Sequence, residues 1–163
     1  MIFMKKITTR LLSLVLLGAF IPSFVLAQEW DLNNGNIIVN AVPGTEQTVS
    51  QAGSTPTVDN NPVITSNGNS TNNTVTINAA ENATANVTLE NVNINTGGAA
   101  ISTSGQGNVN IELDGTNTVQ SGTNHAGVEK NSTGTYELRV RYNGQTAVFL
   151  YGNNGKNVTG SVE

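Results

Sequence analysis

The chain has no cysteine, so neither disulfides nor thiolate metal sites contribute to its stability or chemistry. It has a single histidine, His125, which excludes the paired-imidazole or mixed Cys/His sets that hold zinc. Basic residues are scarce. After Ala27 only Lys130, Arg139, Arg141 and Lys156 remain against eleven carboxylates, a formal charge of −7. Nucleic acid and anionic lipid both require clustered cations, and there are none, so neither is an expected partner. Aromatic residues make up 5% of the chain, and no segment carries apolar residues at three-and-four spacing over several turns. That absence argues against helices. Beyond Ala27 no apolar stretch is long enough to span a bilayer.

The segment up to Ala27 reads as an export leader. Lys5, Lys6 and Arg10 precede an apolar stretch from Leu11 to Phe24, and Val25-Leu26-Ala27 offers small residues for a signal peptidase. Cleavage between Ala27 and Gln28 is expected, giving a secreted or cell-surface protein with no membrane insertion afterwards.

What remains is rich in Asn, Thr and Gly, with Val, Ile and Leu at alternate positions. Val87-Thr88-Leu89-Glu90-Asn91-Val92-Asn93 is answered, at an offset of 24, by Ile111-Glu112-Leu113-Asp114-Gly115-Thr116-Asn117. Ala99-Ala100-Ile101 is answered by Ala126-Gly127-Val128 at an offset of 27. A repeat in the twenties points to stacked turns, each covering the apolar face of the last. Short period-two segments between Gly and Asn turns suit strands that pair with equivalent strands above and below, about 4.8 Å apart. The fold expected is all-β: a single right-handed parallel β-helix of about five coils. Residues 28–73 would form an N-terminal cap and irregular first coils, residues 74–134 the regular coils, and residues 135–163 a hairpin-like closing element. In that closing element Tyr136, Leu138, Val140 and Tyr142 alternate with Glu137, Arg139 and Arg141, and Asn143-Gly144 is a two-residue turn. Asn is expected at left-handed corners, and Asn93 with Asn117 is expected to stack as an amide ladder.

The order Trp30-Asp-Leu-Asn-Asn-Gly-Asn-Ile-Ile-Val, then Val87-Thr-Leu-Glu-Asn-Val-Asn-Ile, Ile111-Glu-Leu-Asp-Gly-Thr-Asn-Thr-Val and His125-Ala-Gly-Val-Glu-Lys-Asn resembles secreted bacterial parallel β-helix repeat proteins. That group includes a calcium-associated carbohydrate-binding family that takes acidic, pectin-type plant polysaccharide. The resemblance covers residues 30–134 and implies a β-helix that binds extracellular or cell-surface polysaccharide with Ca²⁺ assistance.

On this reading Asn93, Asn117 and Glu112 are the candidate sugar contacts. Glu90 and Asp114 occupy matching places in the repeated phrase, about one strand spacing apart, and are the candidate calcium ligands; solvated turn carboxylates are the competing explanation. No twelve-residue calcium loop accompanies them. Two other functional readings stand beside sugar binding: a structural or adhesive spacer without a small ligand, and a degenerate polysaccharide lyase using Lys130, Arg139 or Arg141 as base. No acid–base constellation converges in the sequence, so an enzyme is not expected.

Overall fold

The computed structural model describes residues 28–130 and, beyond them, the strand residues 138–142, 145–147, 150–151 and 157–158. The expected leader up to Ala27, the Tyr136-Glu137 pair, the expected Asn143-Gly144 turn and Phe149 lie outside the described residues. Among those described no helix is long and apolar enough to cross a membrane.

The protein is all-β. Strands β1 (Glu29–Asp31), β2 (Ile37–Ala41), β3 (Thr48–Gln51) and β4 (Thr57–Val58) open the chain. β5 (Val63–Thr65), β6 (Ser70–Thr71), β7 (Val75–Ala79), β8 (Thr84–Glu90), β9 (Asn93–Asn95) and β10 (Ile101–Ser104) follow. Then come β11 (Asn108–Asp114), β12 (Thr118–Gln120), β13 (Val128–Lys130), β14 (Leu138–Tyr142), β15 (Gln145–Ala147), β16 (Leu150–Tyr151) and β17 (Asn157–Val158). One 3-10 turn, Leu32–Asn34, links β1 to β2.

The strands assemble by equivalence rather than by sequence adjacency. Sheet 1 runs β1-β5-β8-β11-β14-β15, sheet 2 runs β13-β10-β7-β2-β3-β4, and sheet 3 runs β12-β9-β6. From β5 onward the chain visits sheet 1, sheet 3 and sheet 2 in that cyclic order three times before entering sheet 1 again at β14. Every pairing between successive visits is parallel. The repeated phrase sets the register: Leu113 pairs with Leu89 and Asp114 with Glu90, while Val128 pairs with Ile101.

Alternation explains the core. On β8, Ala85, Val87 and Leu89 are buried while Asn86 and Thr88 between them are only partly so. Register then stacks like on like. Trp30, Ile64, Leu89 and Leu113 form one continuous row through sheet 1, and Ile37, Val75, Ile101 and Val128 form another through sheet 2. Ile94 of sheet 3 is fully buried as well. Each of the fully buried aliphatic side chains in these rows contributes about 1.5–3 kcal/mol by leaving water, and the partly buried Leu113 and Val128 less.

Corners use the residues that tolerate left-handed backbone. Asn67, Asn82, Asn91 and Asn124 have positive φ, and Gly115, stacked on Asn91, has φ +63°. A Cβ on Gly115 would lie 2.4 Å from Asn91 Oδ1, so any larger residue there would strain the backbone and displace the Asn91 amide.

Of the least patterned stretch, residues 41–73, residues 42–62 fold as an antiparallel excursion, while β5 and β6 join the parallel pairing. β3 pairs antiparallel with β2, and β4 with β3, so sheet 2 is extended past its first parallel strand. Long-range side-chain bonds pin the excursion. Trp30 Nε1 donates to Asp59 Oδ2 at 2.9 Å, and Gln51 Nε2 donates to the carbonyls of Asp31 and Gly35. At the other end β14 pairs parallel with β11 and antiparallel with β15, so the strands flanking Asn143-Gly144 form a hairpin.

Candidate functional site

The outward face of sheet 1 is where polar side chains gather in register. β8 and β11 are both seven residues long and pair along their whole length, giving outward rows Asn86/Asn110 and Thr88/Glu112. Asn110 Nδ2 donates to Asn86 Oδ1 at 2.9 Å, so the two amides hold each other in one orientation. On the next strand, Arg139 is in register with Asn110, and Arg141 with Glu112.

On the other side the sheet steps down. β5 covers only Thr88 to Glu90 of β8, leaving the backbone at Asn86 without a strand neighbour. The Gln47 side chain takes that place. Its Oε1 accepts from the Asn86 N–H at 2.9 Å and its Nε2 donates to the Asn86 carbonyl at 3.0 Å, as a neighbouring peptide would. The same Nε2 donates to the Asp59 carbonyl at 3.0 Å, and Gln47 is buried. The chain then returns through Asn61 and Pro62, whose carbonyl accepts from the Thr88 N–H at 2.9 Å.

This step leaves a depression of about 150 Å³ lined by Asn61, Asn86, Thr88, Asn110 and Glu112, with main chain at Val87 and Ile111 between them. Glu112, one of the expected sugar contacts, therefore lines it. Asn86, Asn110, Thr88 and Asn61 were missed by sequence reasoning. Extending the repeated phrase one residue toward the N-terminus, to Asn86 and Asn110 at the same offset of 24, would have found the first two.

The Asn93–Asn117 ladder does not form. Asn93 faces Thr118, because the corner after Asp114 holds one residue more than the corner after Glu90. Asn117 falls within that corner, where its Oδ1 accepts from the Val92 N–H at 2.9 Å and its Nδ2 donates to the Asp114 carbonyl at 2.8 Å. Asn93 Nδ2 donates instead to the Gly68 carbonyl at 3.1 Å. Amide ladders stand elsewhere: Asn86 with Asn110, and on sheet 2 Asn78 with Asn40 at 2.8 Å, with Ser104 Oγ donating to Asn78 Oδ1.

Glu90 and Asp114 are register partners at the exposed ends of their strands. Asp114 Oδ1 accepts from the Gly115 N–H at 2.8 Å. The next residue in their row is Thr65, which is buried. No group of three or more His, Cys, Asp or Glu side chains comes together among the described residues. Calcium takes six to eight oxygens, and these two carboxylates supply at most four of them.

His125 Nδ1 lies 2.6 Å from Glu129 Oε2, tying the turn before β13 to β13 itself, in sheet 2 and not sheet 1. Trp30 is 5% exposed, so its ring serves the core rather than a sugar platform.

Compared with protein-family models, curated proteins and solved structures, the chain matches none.

Proposed function

We propose that this is an exported carbohydrate-binding module, wound as a right-handed parallel β-helix of about five coils, which holds extracellular or cell-surface polysaccharide on the outward face of sheet 1. The observation that carries the reading is the depression lined by three amides, a hydroxyl and a carboxylate, pre-ordered by the Asn86–Asn110 bond. Sugar hydroxyls both donate and accept, and such a set answers them without the deep apolar pocket a small metabolite needs. The winding is supported by the threefold return to the same three sheets with parallel pairing throughout those returns. Handedness follows the strong general preference for right-handed crossovers between parallel strands.

Calcium enters this reading as an ion shared with an acidic polymer, the sugar carboxylates completing the oxygens that Glu90 and Asp114 leave unsupplied. The test is retention of the domain from Gln28 onward on a panel of neutral and acidic polysaccharides, with Ca²⁺ and again with a chelator. Retention on sugar polymers supports binding. Loss with chelator, and with Glu90→Gln/Asp114→Asn, supports the shared ion. Retention on none of the polymers would leave the spacer reading in its place, and release of unsaturated sugar ends would establish a lyase.

A further inference from the structure

The depression on sheet 1 lies in a field of one sign. Of the eleven carboxylates only Glu137 and Glu163 follow residue 129, so nine lie between residues 28 and 129, and that stretch holds no Lys or Arg. Five of the nine are on sheet 1: Glu29 and Asp31 on β1, Glu90 on β8, Glu112 and Asp114 on β11. Glu29 shares a row with Thr88 and Glu112 through Val63, and Asp31 shares one with Glu90 and Asp114 through Thr65. Carboxylates so gathered attract cations and repel polyanions over about 8 Å in physiological salt. The first strand of the sheet to carry bases is β14, beyond β11.

Within that field the depression presents a cell of four corners, Asn86 and Asn110, Thr88 and Glu112. They are about 4.8 Å apart along the stack and about 6.6 Å apart along the strands. Asn110 donates an amide N–H to Asn86 Oδ1, which leaves Asn110 Oδ1 as an acceptor and the Asn86 amide N–H groups as donors. Among the described residues the Thr88 hydroxyl and the Glu112 carboxylate have no side-chain partner. An ammonium group has three N–H donors and no acceptor, and these three oxygens, one of them charged, answer it. The Asn86 donors and the Asn61 side chain stand beside them for neighbouring hydroxyls. A lysine would bring an aliphatic stem, for which the polar side chains of the lining offer no apolar groove. A sugar amine sits among hydroxylated carbons instead.

We infer that the depression holds the protonated amine of an amino sugar, with Glu112, Asn110 and Thr88 as its acceptors, so that a deacetylated, cationic glycan is a ligand of this face. This rests on the carbohydrate-binding reading above and adds the charge class of the sugar. An acidic polymer needs the shared ion at Glu90 and Asp114; a cationic one needs none.

The experiment sets the domain from Gln28 onward against immobilised chitosan and chitin, in calcium-free buffer at a pH where the free amines are protonated. The two polymers share a backbone, and acetylation removes the charge from one of them. The expected result is stronger retention on chitosan, with release by glucosamine at concentrations where N-acetylglucosamine and lysine release nothing. Glu112→Gln keeps the shape and lowers chitosan affinity about tenfold. Glu81→Gln, which removes an exposed carboxylate outside the depression, lowers it less than about twofold. Arg141→Gln removes the positive charge in register with Glu112 and raises it. Thermal melts check that each variant is folded. Retention on chitosan no greater than on chitin, equal losses for Glu112→Gln and Glu81→Gln, or release by lysine as readily as by glucosamine overturns the inference and leaves carbohydrate binding intact. Retention on other polysaccharides but not on chitosan does the same. Retention on no polysaccharide at all overturns both.

Discussion

Gln47 is the side chain whose removal has the most calculable effect. Its amide replaces a missing strand beside Asn86, making three hydrogen bonds with its side chain: to the Asp59 carbonyl, to the Asn86 carbonyl and from the Asn86 N–H. At 5% exposure it leaves little room for water to substitute. Three bonds at a net contribution of about 1 kcal/mol each give about 3 kcal/mol for Gln47→Ala, before any further loss from stranding the Asn86 peptide. For a domain of this size that corresponds to a fall in Tm on the order of 10 °C. Gln47→Glu is the sharper perturbation, because shape is kept while the donor to two carbonyls becomes an acceptor. The carboxylate so placed is disfavoured by burial and by the facing oxygens, so its folded pKa rises above the ordinary value of about 4.3. A group with a raised folded pKa stabilises most in its protonated form. Gln47→Glu should therefore be less stable than Gln47→Ala at pH 7 and regain stability as the pH falls toward 4. Urea titrations at pH 7 and pH 4.5 measure both differences. Gln47→Ala costing no more than about 0.5 kcal/mol, the scale of an ordinary surface substitution, would refute the strand-replacement role. So would a Gln47→Glu variant whose stability relative to the unaltered protein does not change with pH.

Three other perturbations have defined outcomes. A Cβ on Gly107 would sit 2.2 Å from the Ala80 carbonyl oxygen and 2.6 Å from that of Ala83, so Gly107→Ala should cost about 2 kcal/mol or more, whereas Gly98→Ala meets nothing within 4 Å and should be near neutral in the same denaturant titration. Asp59→Ala removes the acceptor of the Trp30 indole N–H; about 1.5–3 kcal/mol of stability should go with it, and emission from the one tryptophan of the chain should shift to the red as the excursion loosens. Leu89→Ala opens a cavity between Ile64 and Leu113 in the central row of sheet 1 and should cost about 2–5 kcal/mol by thermal or chemical denaturation.

Much of the parallel architecture was legible because one physical rule wrote it twice. A strand whose inner face must be covered by its successor repeats its apolar positions, so offsets of 24 and 27 in the sequence became the registers of β8 with β11 and of β10 with β13. Left-handed corners were legible as Asn for the same local reason. What could not be read were features set by chain length at corners and by distant side chains. A single added residue after Asp114 moved Asn117 out of line with Asn93, although the phrases on either side still matched. The excursion of residues 42–62 carries no alternation, because β3 and β4 are held by Gln47, Gln51 and the Trp30–Asp59 bond, whose partners lie 12 to 39 residues away. The depression exists only because that excursion replaces part of a strand. No reading of the local sequence around Glu112 contains that fact.

β8 and β11 lie side by side, parallel and in register, and the outward rows of sheet 1 depend on it. The chain has no cysteine, so an introduced pair reports on that directly. Thr84 and Asn108 are register partners with exposed outward positions, and in-register neighbours about 4.8 Å apart lie within the span a disulfide bridges. Thr84→Cys/Asn108→Cys should close a disulfide under mild oxidation with native stability retained, seen as a mass loss of two hydrogens and a reducible mobility shift. Thr84→Cys/Asn110→Cys, displaced by two residues to about 8 Å, should remain reduced. The opposite pattern, or cross-linking of neither pair in the folded protein, would contradict the stacked parallel arrangement.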